Sequence, residues 1–343
     1  SPSIVMGVRR VTLLSLTALV VVAIGAIGFG VANIAPLDVL AIIGKSVAGL
    51  PVGGELSAGS TAIVMEIRLP RIVAAIAVGA ALATSGAAFQ SLLRNPLADP
   101  YVLGTSSGAA LGAAIAFLAP ITGIAWELGG VQLAAFVGAL ASVALVWRIA
   151  GIGSGEERIA SVLLVGYAVA SLLAAALSLV MLASGANLRA IFGFLLGGLD
   201  GVTWPRLAAA ALPIAIATLL LVRRGRALAA FLLGDEGATH LGIDVRRERR
   251  IAVALATLAT ASAVALTGLI GFVGLVVPHL ARLAVGSDPR AVLPLSAIGG
   301  ALLLLLADTV ARTIGVPVGV ITALIGAPFL LWLLHRARAG YAL

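Results

Sequence analysis

Apolar residues recur along this chain in long runs that are separated by short polar segments. Runs near the roughly 20 residues needed to cross a bilayer lie at 11–33, 71–90, 103–119, 128–147, 159–182, 205–222, 250–269, 272–285, 291–309 and 317–334. One further run, 191–199, is too short to cross and predicts a half-helix at the surface or beside a cavity. The pattern predicts an all-α, polytopic membrane protein with about ten transmembrane helices.

Composition and charge support this fold class. Of the 343 residues, 61% are hydrophobic and 10% are charged, whereas a soluble domain has about 25% charged residues. If the N-terminus is cytoplasmic, 16 of the 22 basic residues lie inside and 6 outside, so the positive-inside rule places both termini in the cytoplasm. The six outer residues are Lys45, Arg68, Arg71, Arg189, Arg206 and Arg312.

The same distribution argues against a nucleic-acid partner, because the net charge of +8 is spread over loops and does not form one basic face. We expect a single permease domain over residues 1–343, with a cytoplasmic loop at 223–250 inside it. The bilayer itself is the first expected partner.

Motifs that suggest enzymatic chemistry are incomplete. Residues 44–46 read Gly-Lys-Ser, but a phosphate-binding loop needs a glycine five positions earlier, where Val39 stands. Residues 104–108 match G-x-S-x-G, but the serines need a nearby base, and His279 is far along the chain. The three histidines are dispersed and predict no metal site. We therefore expect no catalytic residues, no metal and no permanently bound cofactor.

The most informative stretch is 66–112, EIRLPRIVAAIAVGAALATSGAAFQSLLRNPLADPYVLGTSSGAALG. Its alanines and glycines provide little side chain for a water-soluble core, but they allow membrane helices to approach closely. A double-proline turn at 94–100 divides the stretch. It predicts two membrane helices joined by a short, specific turn.

This stretch resembles the FecCD-type permeases, the membrane subunits of bacterial ABC importers for iron-siderophores, heme and cobalamin. The resemblance continues in GLIGFVGLVVPHLARLAVGSDPR at 268–290 and covers the chain from Glu66 to the C-terminus. It implies a multi-pass protein of the bacterial inner membrane that works by alternating access. The implied partners are a second copy in a homodimer, two cytoplasmic ABC ATPases that hydrolyse ATP, and a periplasmic substrate-binding protein.

Within this family heme is the first expected substrate, and ferric siderophores and cobalamin are the alternatives. A proton-coupled secondary transporter is the candidate from another class, but it would need paired acids inside the membrane. Only Asp308 qualifies, and it lies near the end of a span.

The loop 223–250 contains two short apolar pieces split by Gly234, with Asp235 expected as an N-cap. The resemblance implies that these are coupling helices that dock on the ATPase. We expect Leu228, Phe231, Leu232 and Leu241 to form an exposed apolar patch; a helix lying on the bilayer surface is the alternative. The expected coupling residues are Leu228, Phe231, Leu232, Gly234, Asp235, Glu236, Leu241 and Gly242.

Arg68, Arg71 and Arg312 lie on the outer side. The resemblance implies that they form salt bridges with a glutamate on each lobe of the binding protein. The alternatives are that they anchor helix ends to lipid headgroups, or that Arg312 pairs with Asp308 four residues earlier on the same helix face.

Two further sites are expected along the pathway. Arg189 follows the fifth span and is either a cation at the pathway entrance, which would attract carboxylates of an anionic chelate, or an interfacial anchor. The cytoplasmic gate implied by the resemblance is Arg158, Ile159, Ala160 and Ser161 at the start of the fifth span.

Overall fold

The structure is a computed structural model that describes residues 2–29, 34–48, 57–119, 129–150 and 156–340. Every long regular element in these residues is a helix. They are α1 (Pro2–Gly28), α2 (Pro36–Ala48), α3 (Ala58–Leu92), α4 (Thr105–Leu118), α5 (Gly130–Ala150), α6 (Glu156–Ala183), α7 (Leu188–Leu196), α8 (Trp204–Arg223), α9 (Gly225–Phe231), α10 (Gly234–His240), α11 (Val245–Thr267), α12 (Val273–Val285), α13 (Pro289–Ile314) and α14 (Val318–Gly340).

The helices confirm the all-α membrane fold. Eight of them are long and apolar enough to cross a bilayer, namely α1, α3, α5, α6, α8, α11, α13 and α14. The two short, glycine-bearing spans correspond to α4 and α12, with 14 and 13 residues. The predicted half-helix is α7, which has nine residues.

Helix α3 is the centre of the bundle. It runs for 35 residues, and 78% of its most apolar 18-residue segment is buried inside the chain. Residues 63–68 form a π-helical turn within it, a wider turn that is rare and frequently found at functional sites. Arg68 is the last residue of this turn, and Arg71 follows it in the α-helical part of α3.

Glycines bring the backbone of α3 against its neighbours. A Cβ built on Gly79 would lie 2.2 Å from the carbonyl oxygen of Gly300 in α13, and one on Gly86 would lie 1.8 Å from that of Gly274 in α12. Both distances are far below van der Waals contact, so only glycine fits at these positions. The small residues therefore act as the sequence predicts, by allowing helix backbones to touch.

The chain between α11 and α12 is not helical, and its backbone is paired with other elements. The amide of Leu269 donates to the carbonyl of Phe194 in α7 at 3.1 Å, and the amide of Gly198 donates to Thr267 at 2.7 Å. The Tyr101 hydroxyl donates to Ile270 at 2.9 Å. These bonds satisfy backbone groups that lipid could not.

Three glycines make this junction possible. A Cβ on Gly197 would lie 2.2 Å from the carbonyl oxygen of Leu269, and one on Gly268 would lie 2.2 Å from that of Phe194. A Cβ on Gly319, in α14, would lie 2.1 Å from the oxygen of Leu196. Helix α7 is thus held against the end of α11 and the start of α14; we call Gly197, Gly268 and Gly319 the glycine junction.

Replacing Gly86 with alanine should separate α3 from α12. Because the obstacle is backbone, the helices must move, and we expect a loss of about 1–3 kcal/mol, the usual cost of overpacking. Gly25→Ala is the matched control, since a Cβ there meets nothing within 4 Å. Thermal unfolding of the purified protein in detergent measures both; equal melting temperatures for the two variants would contradict the packing described.

Candidate functional site

Two of the three predicted docking arginines cap the end of α1. Arg68, which is only 5% exposed, donates from Nη1 to the carbonyls of Ile27 at 2.5 Å and Gly28 at 3.0 Å. Arg312 donates from Nη2 to the carbonyl of Ala26 at 2.5 Å. The last carbonyls of a helix lack intrahelical donors and carry partial negative charge, so a guanidinium is a suitable cap.

Arg71 forms the central ion pair of the outer site. Its Nε lies 3.0 Å from both carboxylate oxygens of Asp308, and its Nη2 lies 2.8 Å from Oδ1. Its Nη1 also pairs with Asp200. The Asp308 side chain is fully buried, whereas that of Asp200 is 76% exposed.

The alternative that Arg312 pairs with Asp308 is therefore wrong. The two residues do lie one turn apart on α13, but the Arg312 side chain reaches α1 while Arg71 from α3 binds Asp308 in a bidentate fashion. Bidentate geometry is the stronger arrangement for a guanidinium and a carboxylate. A contact between helices has displaced the local one.

The structure brings all three arginines to one outer cavity of about 630 Å³. Its wall also includes Asp200, which follows α7 and which the sequence analysis missed. A single acid in a short loop has no periodic signal, so only its position beside Arg71 makes it recognisable. The cavity lining is Ile63, Ile67, Arg68, Arg71, Asp200, Ala311, Arg312, Gly315, Val316 and Pro317.

On the cytoplasmic side, the predicted short helices are α9 and α10. The expectation that Leu228 and Phe231 belong to an exposed patch is wrong, because they are 0% and 1% exposed and pack inside the chain. The exposed apolar side chains are instead Leu232 at 44%, Leu233 at 67% and Leu241 at 62%. These three leucines, in the turns that follow α9 and α10, are the leucine patch.

Charge pairs fix this loop against the start of α11. Arg249 donates to Asp235 at 2.6 Å, and its guanidinium lies 5.4 Å from the centre of the Phe231 ring. Arg224 donates to Glu248 at 2.6 Å. Asp235 is not the N-cap of α10 as expected; the cap is Leu233 and Asp235 lies in the first turn, so its carboxylate is available to Arg249.

Gly234, Glu236 and Gly242 complete the predicted coupling residues. The two glycines have φ of +85° and +78°, a left-handed conformation that glycine adopts without strain. Glu236 is exposed and lines an open cleft of about 460 Å³ beside His240.

The turn between α3 and α4 is held from two sides. Gln90 donates to the carbonyls of Ala98 at 3.1 Å and Gly274 at 3.3 Å, and Arg282 of α12 donates to the Gln90 side-chain oxygen. Asp99 accepts from the backbone amide two residues later at 2.8 Å. Burial raises the pKa of Asp99 to about 6, and this backbone hydrogen bond opposes the shift.

Comparison with known proteins identifies this arrangement. Residues 13–336 match the model of the FecCD transport family. The chain belongs to the FecCD transport family.

Curated relatives and a solved structure agree with that assignment. The chain is 47% identical over 275 residues to the cobalamin import system permease protein BtuC of Halobacterium salinarum, covering 80% of this chain and 73% of that protein. It is 41% identical over 280 residues to the hemin transport system permease protein HmuU of Yersinia pestis, covering 80% and 83%. A metal-chelate type ABC transporter solved in an inward-facing conformation matches with a TM-score of 0.82 and 28% identity over 96% of this chain and 99% of that one.

The remaining predicted residues of this FecCD permease are not gathered into either site. Arg189 is exposed in the first turn of α7. At the start of α6, Ala160 is exposed and Ser161 is half-buried. The side chains of Arg158 and Ile159 lie outside the described residues.

Three substitutions test the outer ion pair. Arg71→Gln should be the most damaging because it leaves a buried carboxylate without its bidentate donor, at a cost of about 3–5 kcal/mol. Asp308→Asn should cost less, since Arg71 keeps Asp200. Asp200→Asn, at an exposed residue, should cost at most about 1 kcal/mol. Thermal unfolding in detergent gives the order; a cost for Asp200→Asn equal to that of Arg71→Gln would refute the central role of Asp308.

Proposed function

We propose that this chain is the membrane-spanning subunit of an ATP-driven importer that carries heme from periplasm to cytoplasm across a bacterial inner membrane. In this proposal it forms a homodimer, two cytoplasmic ABC ATPases supply the energy, and a periplasmic protein delivers the cargo. The chain itself has a transport role and performs no covalent chemistry. The observation that carries the permease function is the family match over residues 13–336; the choice of heme as cargo rests on the features that follow.

Two features support heme. One relative is named as a hemin permease, and the exposed Arg189 is a cation that the propionates of heme could meet. Cobalamin is the second candidate, favoured by the relative that is 47% identical. Both cargoes are metal ions already enclosed in a macrocycle, which agrees with the metal-chelate type of the matching solved structure.

Uptake by the reconstituted complex tests the function. We expect proteoliposomes that contain the permease, its ATPase and its binding protein to accumulate heme only with ATP, and vanadate to stop accumulation. The same assay with cobalamin in place of heme shows which of the two cargoes the complex accumulates. Uptake that follows a proton gradient without ATP would instead support a secondary transporter.

The leucine patch supports contact with an ATPase. Three large apolar side chains are exposed within residues 232–241, and exposed apolar surface of this kind is typical of a contact with a partner or a membrane. The ion pairs of Arg224 and Arg249 hold the loop against α11. A movement of the ATPase against the loop would therefore also move α11. We propose that the ATPase buries Leu232, Leu233 and Leu241, and that Leu228 and Phe231 support them from inside.

Loss of the leucine patch should release the ATPase without unfolding the permease. We expect Leu232→Asp with Leu241→Asp to abolish co-purification while the melting temperature of the permease alone stays within a few degrees. Phe231→Ala is the control, because it should affect the melting temperature of the permease, which the double variant should leave nearly unchanged. It removes a buried ring at a cost of about 3–5 kcal/mol and lowers the melting temperature; an intact complex in the double variant would contradict the coupling role.

The outer cavity supports docking of a carboxylate-bearing protein. Arg71 and Arg312 line it and are partly buried, where charge-assisted hydrogen bonds are strong. Asp200 opposes such a partner, because it is exposed and occupies one donor of Arg71. We propose that the glutamates of the binding protein compete with Asp200 for Arg71 and contact Arg312. Arg68 does not contact the binding protein in this proposal; it caps the end of α1 and so stabilises the wall of the cavity.

The affinity of the binding protein for the reconstituted complex tests this competition. Asp200→Asn should strengthen docking by several-fold, because it removes a repelling charge and frees Arg71. Arg312→Gln should weaken docking, and added salt should weaken the wild type because exposed charges are screened. Binding that does not respond to salt or to either substitution would refute the docking site and leave the permease function intact.

A further inference from the structure

A second cavity lies in the outer half of the bundle and faces the membrane. It has a volume of about 300 Å³ and lies between the start of α5, the start of α8 and the end of α11. All three helices are membrane spans. Leu133, which lines the cavity, is 64% exposed, and Leu212 on the same helix as Arg206 is 66% exposed, so apolar side chains lie on the surface around the opening.

Small residues leave this space open. Gly129, Ala209, Ala210 and Ala265 line the cavity with little side chain. Pro213 also lines it, and because proline has no N–H it leaves the carbonyl of Ala209 without an intrahelical donor. The volume is twice that of an apolar cavity of about 150 Å³ that binds benzene. Walls of such a space lose dispersion contacts unless an apolar group fills it.

One cation marks the outer end of the cavity. Arg206 lies in the first turn of α8 and lines the cavity. It donates to the carbonyl of Gly201 at 3.0 Å, and its five N–H groups can serve several acceptors at once. Trp204, 41% exposed, donates from its indole to Met65 at the same end. Tryptophan is enriched at the headgroup level, so Arg206 lies at the depth of lipid phosphates.

We propose that this cavity binds one acyl chain of an anionic phospholipid from the outer leaflet, with its phosphate on Arg206. Apart from Gln132, Ser262 and Arg206 the lining is apolar and fits an acyl chain, and the guanidinium fits the headgroup in charge and in depth. The lipid would fill the space between α5, α8 and α11. This site does not depend on the proposed cargo.

The structure contains a matched control. Another cavity of about 300 Å³ lies between α1, α12 and α13, and its lining includes Val11, Ser15 and Leu306 but no charged residue. An acyl chain can enter it, but it has no group that selects an anionic headgroup. Comparing the two cavities distinguishes the binding of an acyl chain to an apolar cavity from the recognition of an anionic headgroup by an arginine.

Native mass spectrometry of the full chain, delipidated in detergent and titrated with phosphatidylglycerol or phosphatidylcholine, tests the site. We expect the wild type to prefer phosphatidylglycerol by about tenfold, and Arg206→Gln to lose that preference. Ala210→Phe should reduce binding of both lipids by filling the cavity, with Ala209→Phe as the substitute if it does not fold. Ser15→Phe should leave the preference unchanged.

Three results at the Arg206 cavity would overturn the proposal. They are a wild type without headgroup preference, an Arg206→Gln variant that retains it, and a folded cavity-filling variant that binds phosphatidylglycerol as the wild type does. Circular dichroism and melting temperature, measured before lipid is added, show that each variant is folded. Equal loss of preference in Ser15→Phe would assign the selectivity to the control cavity.

Discussion

The close approach of α3 to α12 and α13 is the contact on which the rest of the structure depends. In a bilayer the hydrophobic effect does not drive helices together, because lipid is as apolar as the helix surface. Helix association therefore depends on van der Waals packing at short range. Gly79 and Gly86 allow this close packing, because without side chains they let the α3 backbone contact the carbonyls of Gly300 and Gly274. Because α13 is held there, Asp308 meets Arg71, and because α12 is held there, Arg282 meets Gln90. The outer ion pair and the cytoplasmic turn are thus both consequences of one packed helix.

The sequence was sufficient to predict features that repeat or that follow from composition. The apolar helices, the short α7, the two short helices within 223–250 and the family all follow from long apolar runs or from motifs of many residues. The outer site was predicted in part, since Arg68, Arg71 and Arg312 were selected from motif positions and do line one cavity.

The sequence failed where a neighbouring helix decides the outcome. The i to i+4 spacing of Asp308 and Arg312 is a true local preference, but a bidentate partner from α3 outweighs it. The predicted exposure of Leu228 and Phe231 is wrong because the sequence of a seven-residue helix that is apolar on most sides does not show which side the rest of the chain covers. Asp200 was missed because its importance comes only from standing beside Arg71.

The glycine junction has an evolutionary consequence. A side chain at Gly197, Gly268 or Gly319 would collide with the carbonyl oxygen of Leu269, Phe194 or Leu196. All twenty amino acids carry that oxygen, so no change of the facing residue can make room for a new side chain. A mutation here therefore cannot be rescued by a compensating mutation opposite it, as a large residue in an ordinary core can. Selection can only retain these glycines or rebuild the backbone around them.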